Sequence, residues 1–527
     1  MFKILVSDPL SEVGLQKLLE ATDVEVVQKT GLKEEELVQI IPEFDALLVR
    51  SQTKVTPAII EAATRLKAIG RAGVGVDNIN IQAATSKGIV VINAPDGNTI
   101  STAEHSFAMI MALARRIPNA YHSMMNGQWD RKSFVGVELN QKVLGVVGLG
   151  RIGTEVAKRA KAFNMKVVAY DPFLTEERAK KLGVTPASIK ELVSQADFIT
   201  THTPLTKETK YLISTKEFAL MKDGVRIINC ARGGIIEEKA LYEAIVSGKV
   251  AGAALDVFEV EPPMENPLLK LPQVIVTPHL GASTVEAQEN VAIDVSEEIL
   301  HVLREQPFKN AVNLPSIPEN IREKVEPYFG LSEKLGNFIA QIAVGGLEEI
   351  TITYSGELTE IDTASLTRTV LKGALSYHLG EGVNYINAPH LAKNRGINVV
   401  EQKSTANKGF TNLITVSLKT NQEEKTVAGT MLNGYGARIV KVDGYPVDLQ
   451  PEGHLILVHH NDRPGAIGRV GTILGNNNVN IAAMQVGRRD MGGNAIMILS
   501  IDRPASPDVL DVLGELSEIT SVTEIDL

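Results

Sequence analysis

The stretch "VLGVVGLGRIGTEVAKRAKAF", residues 143–163, decides the fold. Val143 to Val147 form a short apolar run that reads as a buried strand. Gly148-Leu149-Gly150-Arg151-Ile152-Gly153 follows, then an amphipathic helical pattern, then a second apolar run, "KVVAYD", that ends in Asp171. A lone GxGxxG is a weak signal. A strand before it, a helix after it and an acid at the end of the next strand together make a dinucleotide-binding unit. Gly148 permits the tight turn, Gly150 lets a pyrophosphate approach the backbone, and Gly153 allows close helix–strand packing. The free N–H groups at the helix start favour phosphate. Asp171, 23 residues after Gly148, is placed to accept hydrogen bonds from ribose hydroxyls and to repel a 2′-phosphate. Residues 172–177 read "PFLTEE" and hold no Arg, so the expected cofactor is NAD rather than NADP. The plain alternative is a glycine turn that only packs, and the full fingerprint weighs against it.

The same alternation extends on both sides. Residues 142–280 hold further strand-like runs, among them "ADFITTHTP", "VRIINCARG", "AGAALDVF" and "QVIVTPH". Residues 2–95 repeat the pattern with "KILVSD", "VEVVQK", "DALLVR", "KAIGRAG" and "IVVINAP". Short apolar strands alternating with helices predict parallel sheets covered on both faces. The fold class is therefore α/β, with two doubly wound parallel-sheet domains. A long helical pattern, "STAEHSFAMIMALARRI", is expected to stop near Pro118. The helix after His279, "VEAQENVAIDVSEEILHVLRE", is expected to return to the first domain. The expected divisions are 1–97 continued by 284–315, then 98–283, 317–452 and 453–527, with a hinge near 97 and 284. The cleft between the first two domains is the natural site. "NLPSIPENI", 313–321, reads as a linker. Residues 317–452 carry mixed helix and strand signals, which makes them α+β. There Arg438 and Lys441 read as a solvated charged face before they read as an anion site. The last 73 residues follow the order βαββαβ, with "MGG" as a hairpin signal.

Bulk properties limit the partners. The chain has 527 residues, 44% apolar content and a formal net charge of −10. That charge argues against a general nucleic-acid binder. One cysteine, Cys230, excludes an internal disulfide and suggests a reducing compartment. "MFKILVSD" enters a strand directly, without a signal-peptide pattern, and no apolar run approaches a membrane span. The expectation is a cytoplasmic protein with no membrane partner and no metal.

Three side chains carry the candidate chemistry. "INCARGGII" puts Arg232 just past a strand's C-terminal end, where ligands of open α/β sheets collect. A guanidinium there can grip a carboxylate with two parallel hydrogen bonds. His279 also follows a strand, in "VIVTPHLGAS". Imidazole is suited to taking a hydroxyl proton near neutral pH. Glu261, fixed beside Pro262 and Pro263, can hold that ring and favour its charged form. Alone, such residues would read as a surface Arg, a core His and a solvated Glu. Their company with the dinucleotide fingerprint favours the functional reading.

"GLGRIG", "YDP", "HTPLT", "NCARGGI", "ALDVFEVEPP" and "PHLGAST" together resemble the D-isomer-specific 2-hydroxyacid dehydrogenases, in a long form that covers the whole chain. The resemblance implies a flavodoxin-like substrate domain, a Rossmann NAD domain, an intervening domain and a C-terminal ACT domain. It implies NAD-dependent oxidation of 3-phosphoglycerate to 3-phosphohydroxypyruvate, at the start of L-serine biosynthesis, by a homotetramer. Arg232, Glu261 and His279 match the family's catalytic positions. Cofactor contacts are implied at Val74, Gly148, Gly150, Arg151, Ile152, Gly153, Asp171, Thr203, Cys230, Ala231, Arg232, Asp256, His279, Leu280, Gly281 and Ala282. Substrate contacts are implied at Arg50, Ser51, Val74, Gly75, Arg232 and His279, with Arg131 or Lys132 as a further phosphate contact. In the ACT segment, "HHNDRPG" and "VNIAA" imply an L-serine site at His460, Asn461, Asp462 and Asn480. Asp-Arg-Pro-Gly also fits a simple strand–helix turn with Pro at the helix start. Two other readings stand beside this one. One is a relative acting on glycerate or glyoxylate. The other is a dinucleotide-sensing regulator without turnover.

Overall fold

In the computed structural model, the described residues are 1–315, 317, 319–380, 382–406, 409–490 and 492–527. Positions 316 and 318 of the linker reading and the Met of the "MGG" turn lie outside them.

Four sheets follow one another along the chain. The first has the order Val24–Gln28, Phe2–Val6, Ala46–Val49, Ala68–Arg71, Val90–Asn93 and is wholly parallel. Its central strand Ala46–Val49 is buried at every position, as expected for a strand covered on both faces. The helix Val285–Leu303 packs on this layer, with Val291, Val295 and Ile299 in the same core as Ile4, Val6 and Leu48. The approach is close: a β-carbon on Gly14 would lie 2.2 Å from that of Ala292.

The second sheet has seven parallel strands, in the order Val274–Val276, Val250–Leu255, Val225–Asn229, Phe198–Thr201, Val143–Val147, Lys166–Tyr170, Thr185–Pro186. Chain order reverses between Val143–Val147 and Phe198–Thr201. That switch point opens a crevice beyond their carboxyl ends.

One helix differs from the sequence reading. The pattern expected to stop near Pro118 ends earlier, in the helix Thr99–Arg115. Arg116 turns left-handed, at φ 54°, and a second helix, Ile117–Met125, starts at once with Pro118 in its first turn. Proline lacks an N–H that the first turn leaves unbonded anyway, so here it starts a helix rather than stopping one.

The third sheet is mixed and six-stranded, running from Asn398–Ser404 at one edge to Tyr445–Leu449 at the other. Helices Tyr328–Ile342 and Ala364–Leu379 back it. The segment after them reaches the first sheet's layer. Asn384 donates to the Gly88 carbonyl at 2.9 Å, His390 Nε2 meets the Ser86 hydroxyl at 2.8 Å, and Ile386 is buried in the first layer's core. The fourth sheet, Ile481–Arg488, Asn494–Ile501, His454–Asn461, Ile519–Asp526, is antiparallel and completes the βαββαβ order. Its helices cover one face, while Leu455, Leu457, Ile496 and Ile525 on the other join the third sheet's core.

Arg438 and Lys441 do not form a freely solvated face. Both are half-buried, and Lys441 lines a cavity of about 750 Å³ with Lys425, His459 and Arg489. Among the described residues, no helix is long and apolar enough to cross a membrane, and no group of three or more His, Cys, Asp or Glu side chains is placed to hold a metal.

Candidate active site

The crevice begins at the glycine turn. Gly148 has φ 92°, and a β-carbon on it would lie 2.7 Å from the His202 carbonyl oxygen. One on Gly153 would lie 2.1 Å from the Gly148 carbonyl oxygen, so the helix can start here only without side chains. Gly150 has open space above it. Asp171 accepts the Leu149 N–H at 2.8 Å, which places its carboxylate at the turn. Arg178, one residue past the stretch read as free of arginine, donates to the Leu149 carbonyl at 2.9 Å. Arg151 pairs with Asp96, across the boundary between the two halves, and Ile152 is half-buried behind it. The hydroxyls of Thr102 and Thr203 are buried without partners among the described residues. A glycine cradle, an acid at the second strand end and orphaned hydroxyls fit a dinucleotide. Its bound form would be held at Gly148–Gly153, Asp171 and Thr203.

Cys230 and Ala231 follow the strand Val225–Asn229. Burial and the nearby Asp256 push the Cys230 thiol up to about 12. The Ala231 N–H donates to the Asn229 side chain at 3.0 Å. Arg232 then crosses the crevice: its Nε meets the Asp77 carboxylate at 3.2 Å.

Glu261 and His279 are in contact. His279 Nδ1 lies 2.9 Å from Glu261 Oε2, and the other carboxylate oxygen accepts the Phe258 N–H at 3.1 Å. Burial pushes the Glu261 carboxyl up, but the bonds from His279 and Phe258 outweigh it and hold it below its ordinary value. His279 adopts a left-handed backbone, φ 57°. Such a conformation costs a non-glycine residue about 1–3 kcal/mol and persists only where surroundings enforce it. Asp256 supplies the enforcement. Its carbonyl accepts the His279 N–H at 3.0 Å, and its fully buried carboxylate accepts the N–H groups of Leu280 at 2.7 Å and Gly281 at 2.9 Å. Ala282 lies at the end of the same turn. The ring's second nitrogen, Nε2, has no hydrogen-bond partner among the described residues. An imidazole tied through one nitrogen to a carboxylate can take or give a proton through the other.

On the opposite wall, Gly75 lies against the Arg232 guanidinium. The Val74 carbonyl accepts from Asn93 at 2.5 Å. Arg50 is anchored by its backbone, N–H to Asp8 at 2.6 Å and carbonyl to Asn78 at 2.7 Å, while its guanidinium only grazes the Pro9 carbonyl at 3.5 Å. Ser51 is exposed beside it. Sequence reasoning passed over Arg71. Its guanidinium lies under the loop, where a β-carbon on Gly73 would meet it at 1.8 Å, and its Nε is buried without a partner among the described residues. Burial and the neighbouring Arg232 and Arg50 lower it to about 10, despite Asp77 and Asp8. The available signal was a charged residue closing an apolar strand just before a glycine turn. Arg131 and Lys132 are exposed in the loop after Ile117–Met125.

The ACT-type residues make their own contacts. His460 is buried, with Nδ1 3.0 Å from the Asn461 carbonyl oxygen and Nε2 without a partner among the described residues. Asp462 receives Arg488 at 3.4 Å, and Asn480 donates to Asp502 at 2.8 Å.

Residues 107–281 match the model of the D-isomer specific 2-hydroxyacid dehydrogenase NAD-binding domain. Residues 324–443 match the D-3-phosphoglycerate dehydrogenase intervening domain, and 454–518 the ACT domain. The D-3-phosphoglycerate dehydrogenase of Bacillus subtilis is 50% identical over 527 residues, covering 100% of both chains. That of Methanocaldococcus jannaschii is 49% identical over 528 residues, again covering 100% of both. The chain belongs to the D-3-phosphoglycerate dehydrogenase family. Among solved structures, the D-lactate dehydrogenase of Aquifex aeolicus, complexed with NAD and lactic acid, aligns with TM-score 0.54 and 32% identity, over 60% of this chain and 100% of that one. As a D-3-phosphoglycerate dehydrogenase family member, the chain is an NAD-dependent oxidoreductase, and its fourth sheet is an ACT domain suited to a small effector.

Proposed function

We propose that the chain oxidises 3-phospho-D-glycerate to 3-phosphohydroxypyruvate, with Arg232, Glu261 and His279 as the catalytic set. The Glu261–His279 contact at the mouth of the dinucleotide crevice carries this reading. NAD, held at Gly148–Gly153, Asp171 and Thr203, would supply the hydride acceptor for C2 of the substrate. His279 Nε2 takes the C2 hydroxyl proton, so alcohol and NAD become ketone, NADH and a proton. Glu261 remains an anion and orients the ring through Nδ1 while the imidazolium forms. Arg232 holds the substrate carboxylate against the N–H groups near Val74 and Gly75. Arg50 and Arg71, on the same wall, suit a doubly charged phosphate, which favours this substrate over glycerate or glyoxylate.

We assign the divisions 1–97 with 284–315, 98–283, 317–452 and 453–527 to the substrate, NAD, intervening and ACT units. His460, Asn461, Asp462 and Asn480 form the reading for an L-serine site. A homotetramer in the cytoplasm completes it. Tyr121, Met124, Met125 and Trp129 are all more than half exposed, an apolar patch of the kind that pairs with another subunit.

The test follows NADH absorbance in both directions with a panel of 2-hydroxy and 2-oxo acids, with and without L-serine. The expected result is preferential turnover of 3-phosphoglycerate and 3-phosphohydroxypyruvate. Preference for glycerate or glyoxylate would replace the substrate, and no turnover with any acid would favour a non-catalytic regulator.

A further inference from the structure

The strands Val250–Leu255 and Val274–Val276 pair side by side, Leu255 opposite Val276, and deliver Asp256 and Thr277 to neighbouring positions at their ends. The helix Thr99–Arg115 lies across this edge. His105, on its second turn, sends Nε2 to 3.2 Å from Asp256 Oδ1 and 3.1 Å from the Thr277 hydroxyl oxygen. The Thr277 hydroxyl donates to the same Asp256 oxygen at 2.5 Å, so that oxygen and the hydroxyl both offer acceptors to the ring. Nε2 therefore carries the hydrogen and donates. Asp256 is wholly enclosed, and apart from His105 and Thr277 its carboxylate accepts, among the described residues, only from the turn that contains His279.

We propose that His105 is a positioning residue for hydride transfer: it fixes the Asp256 carboxylate, which fixes the 279–281 turn, which aims the His279 ring at the substrate hydroxyl. The inference rests on the catalytic reading of His279 given above. Thr102, one turn earlier on the same helix, supports the same turn from beneath, 3.4 Å from where a β-carbon on Gly281 would stand. The helix thus acts as a rigid backstop, and His105 is its only ionisable contact with that carboxylate among the described residues. No proton passes through His105 to the substrate, because Asp256 and the turn lie between them.

Two polar replacements separate positioning from mere occupancy. Glutamine places an N–H donor where Nε2 stands, whereas the shorter asparagine places one where Nδ1 stands and cannot reach Asp256. His105→Gln is expected to keep kcat within about twofold of the native enzyme, and His105→Asn to lose about ten- to hundredfold, as a misaimed catalytic group does. KM for NAD should differ little between the two, and a thermal melt of each reads the stability lost with the bond separately from turnover. Carbon-13 labelling of the histidines provides a readout independent of turnover: the His279 titration in H105N should depart from native, and in H105Q should match it. Equal kcat and equal His279 titrations in the two variants would overturn the proposal. If the native protein turns over no acid, the catalytic reading fails, and the labelled histidine still reports whether His105 sets the turn.

Discussion

The Arg232 guanidinium lies directly against Gly75: a β-carbon built on that glycine would stand 2.0 Å from one of its terminal nitrogens. The two residues come from different sheets, so this contact is where the halves of the crevice meet. Gly75→Ala should therefore displace the guanidinium while leaving both cores intact. The expected result is a loss of about tenfold or more in kcat/KM, with an unchanged melting temperature. Steady-state kinetics beside a thermal melt checks it, and native kcat/KM in the variant would show that Arg232 does not need its present position.

His279→Gln should lower kcat by about a hundredfold or more, the usual contribution of a positioned acid–base group. Glu261→Gln should cost less and also change the pH profile. Glu261 is held below its ordinary value, so it is ionised above that value and becomes protonated only as pH falls through it. Throughout the neutral range it remains an anion that favours imidazolium. Removing that charge should move the acid limb of kcat for oxidation to lower pH. A profile from pH 5 to 9 with an unmoved limb would detach Glu261 from proton transfer.

Asp171 and Arg178 both bond to Leu149, one to its N–H and one to its carbonyl. Asp171→Ala removes the negative charge and leaves a guanidinium near the ribose site. NADP use should rise and NAD use should fall, by about tenfold each in kcat/KM. An unchanged preference between the two cofactors would place the ribose elsewhere.

Cys230 is the chain's single cysteine, and burial keeps its thiol protonated up to about pH 12. Thiolate, not thiol, reacts with alkylating agents. Iodoacetamide should leave the native protein unmodified at pH 8 and label it fully in denaturant. Rapid labelling of native protein, read by intact mass, would contradict the enclosed site.

Much of the architecture was legible because parallel strands must be apolar on both faces. "VLGVVG" or "VRIINC" can hardly be anything else when turn residues bound it. The Glu261–His279 pair was legible because each residue closes a distinctive run. Arg116 was not: a left-handed residue between two helices leaves no periodic signature, and Pro118 reads equally as a stop or a start. The two-residue strand Thr185–Pro186 is too short for a pattern. Arg71 and His105 were missed for a different reason. Their meaning lies in what a remote loop or strand end places beside them, Arg232 in one case and Asp256 in the other, and no local spacing records that.

Ile386 belongs by sequence to the third sheet's surroundings, yet its side chain is planted in the oily interior behind the first sheet. Asn384 and His390 stitch the same segment down on either side. The third sheet's surroundings are thus harnessed to the first sheet's layer at three points, two polar and one apolar. A displacement of that segment would therefore load the packing behind the first sheet directly, through Ile386, rather than through the linker alone.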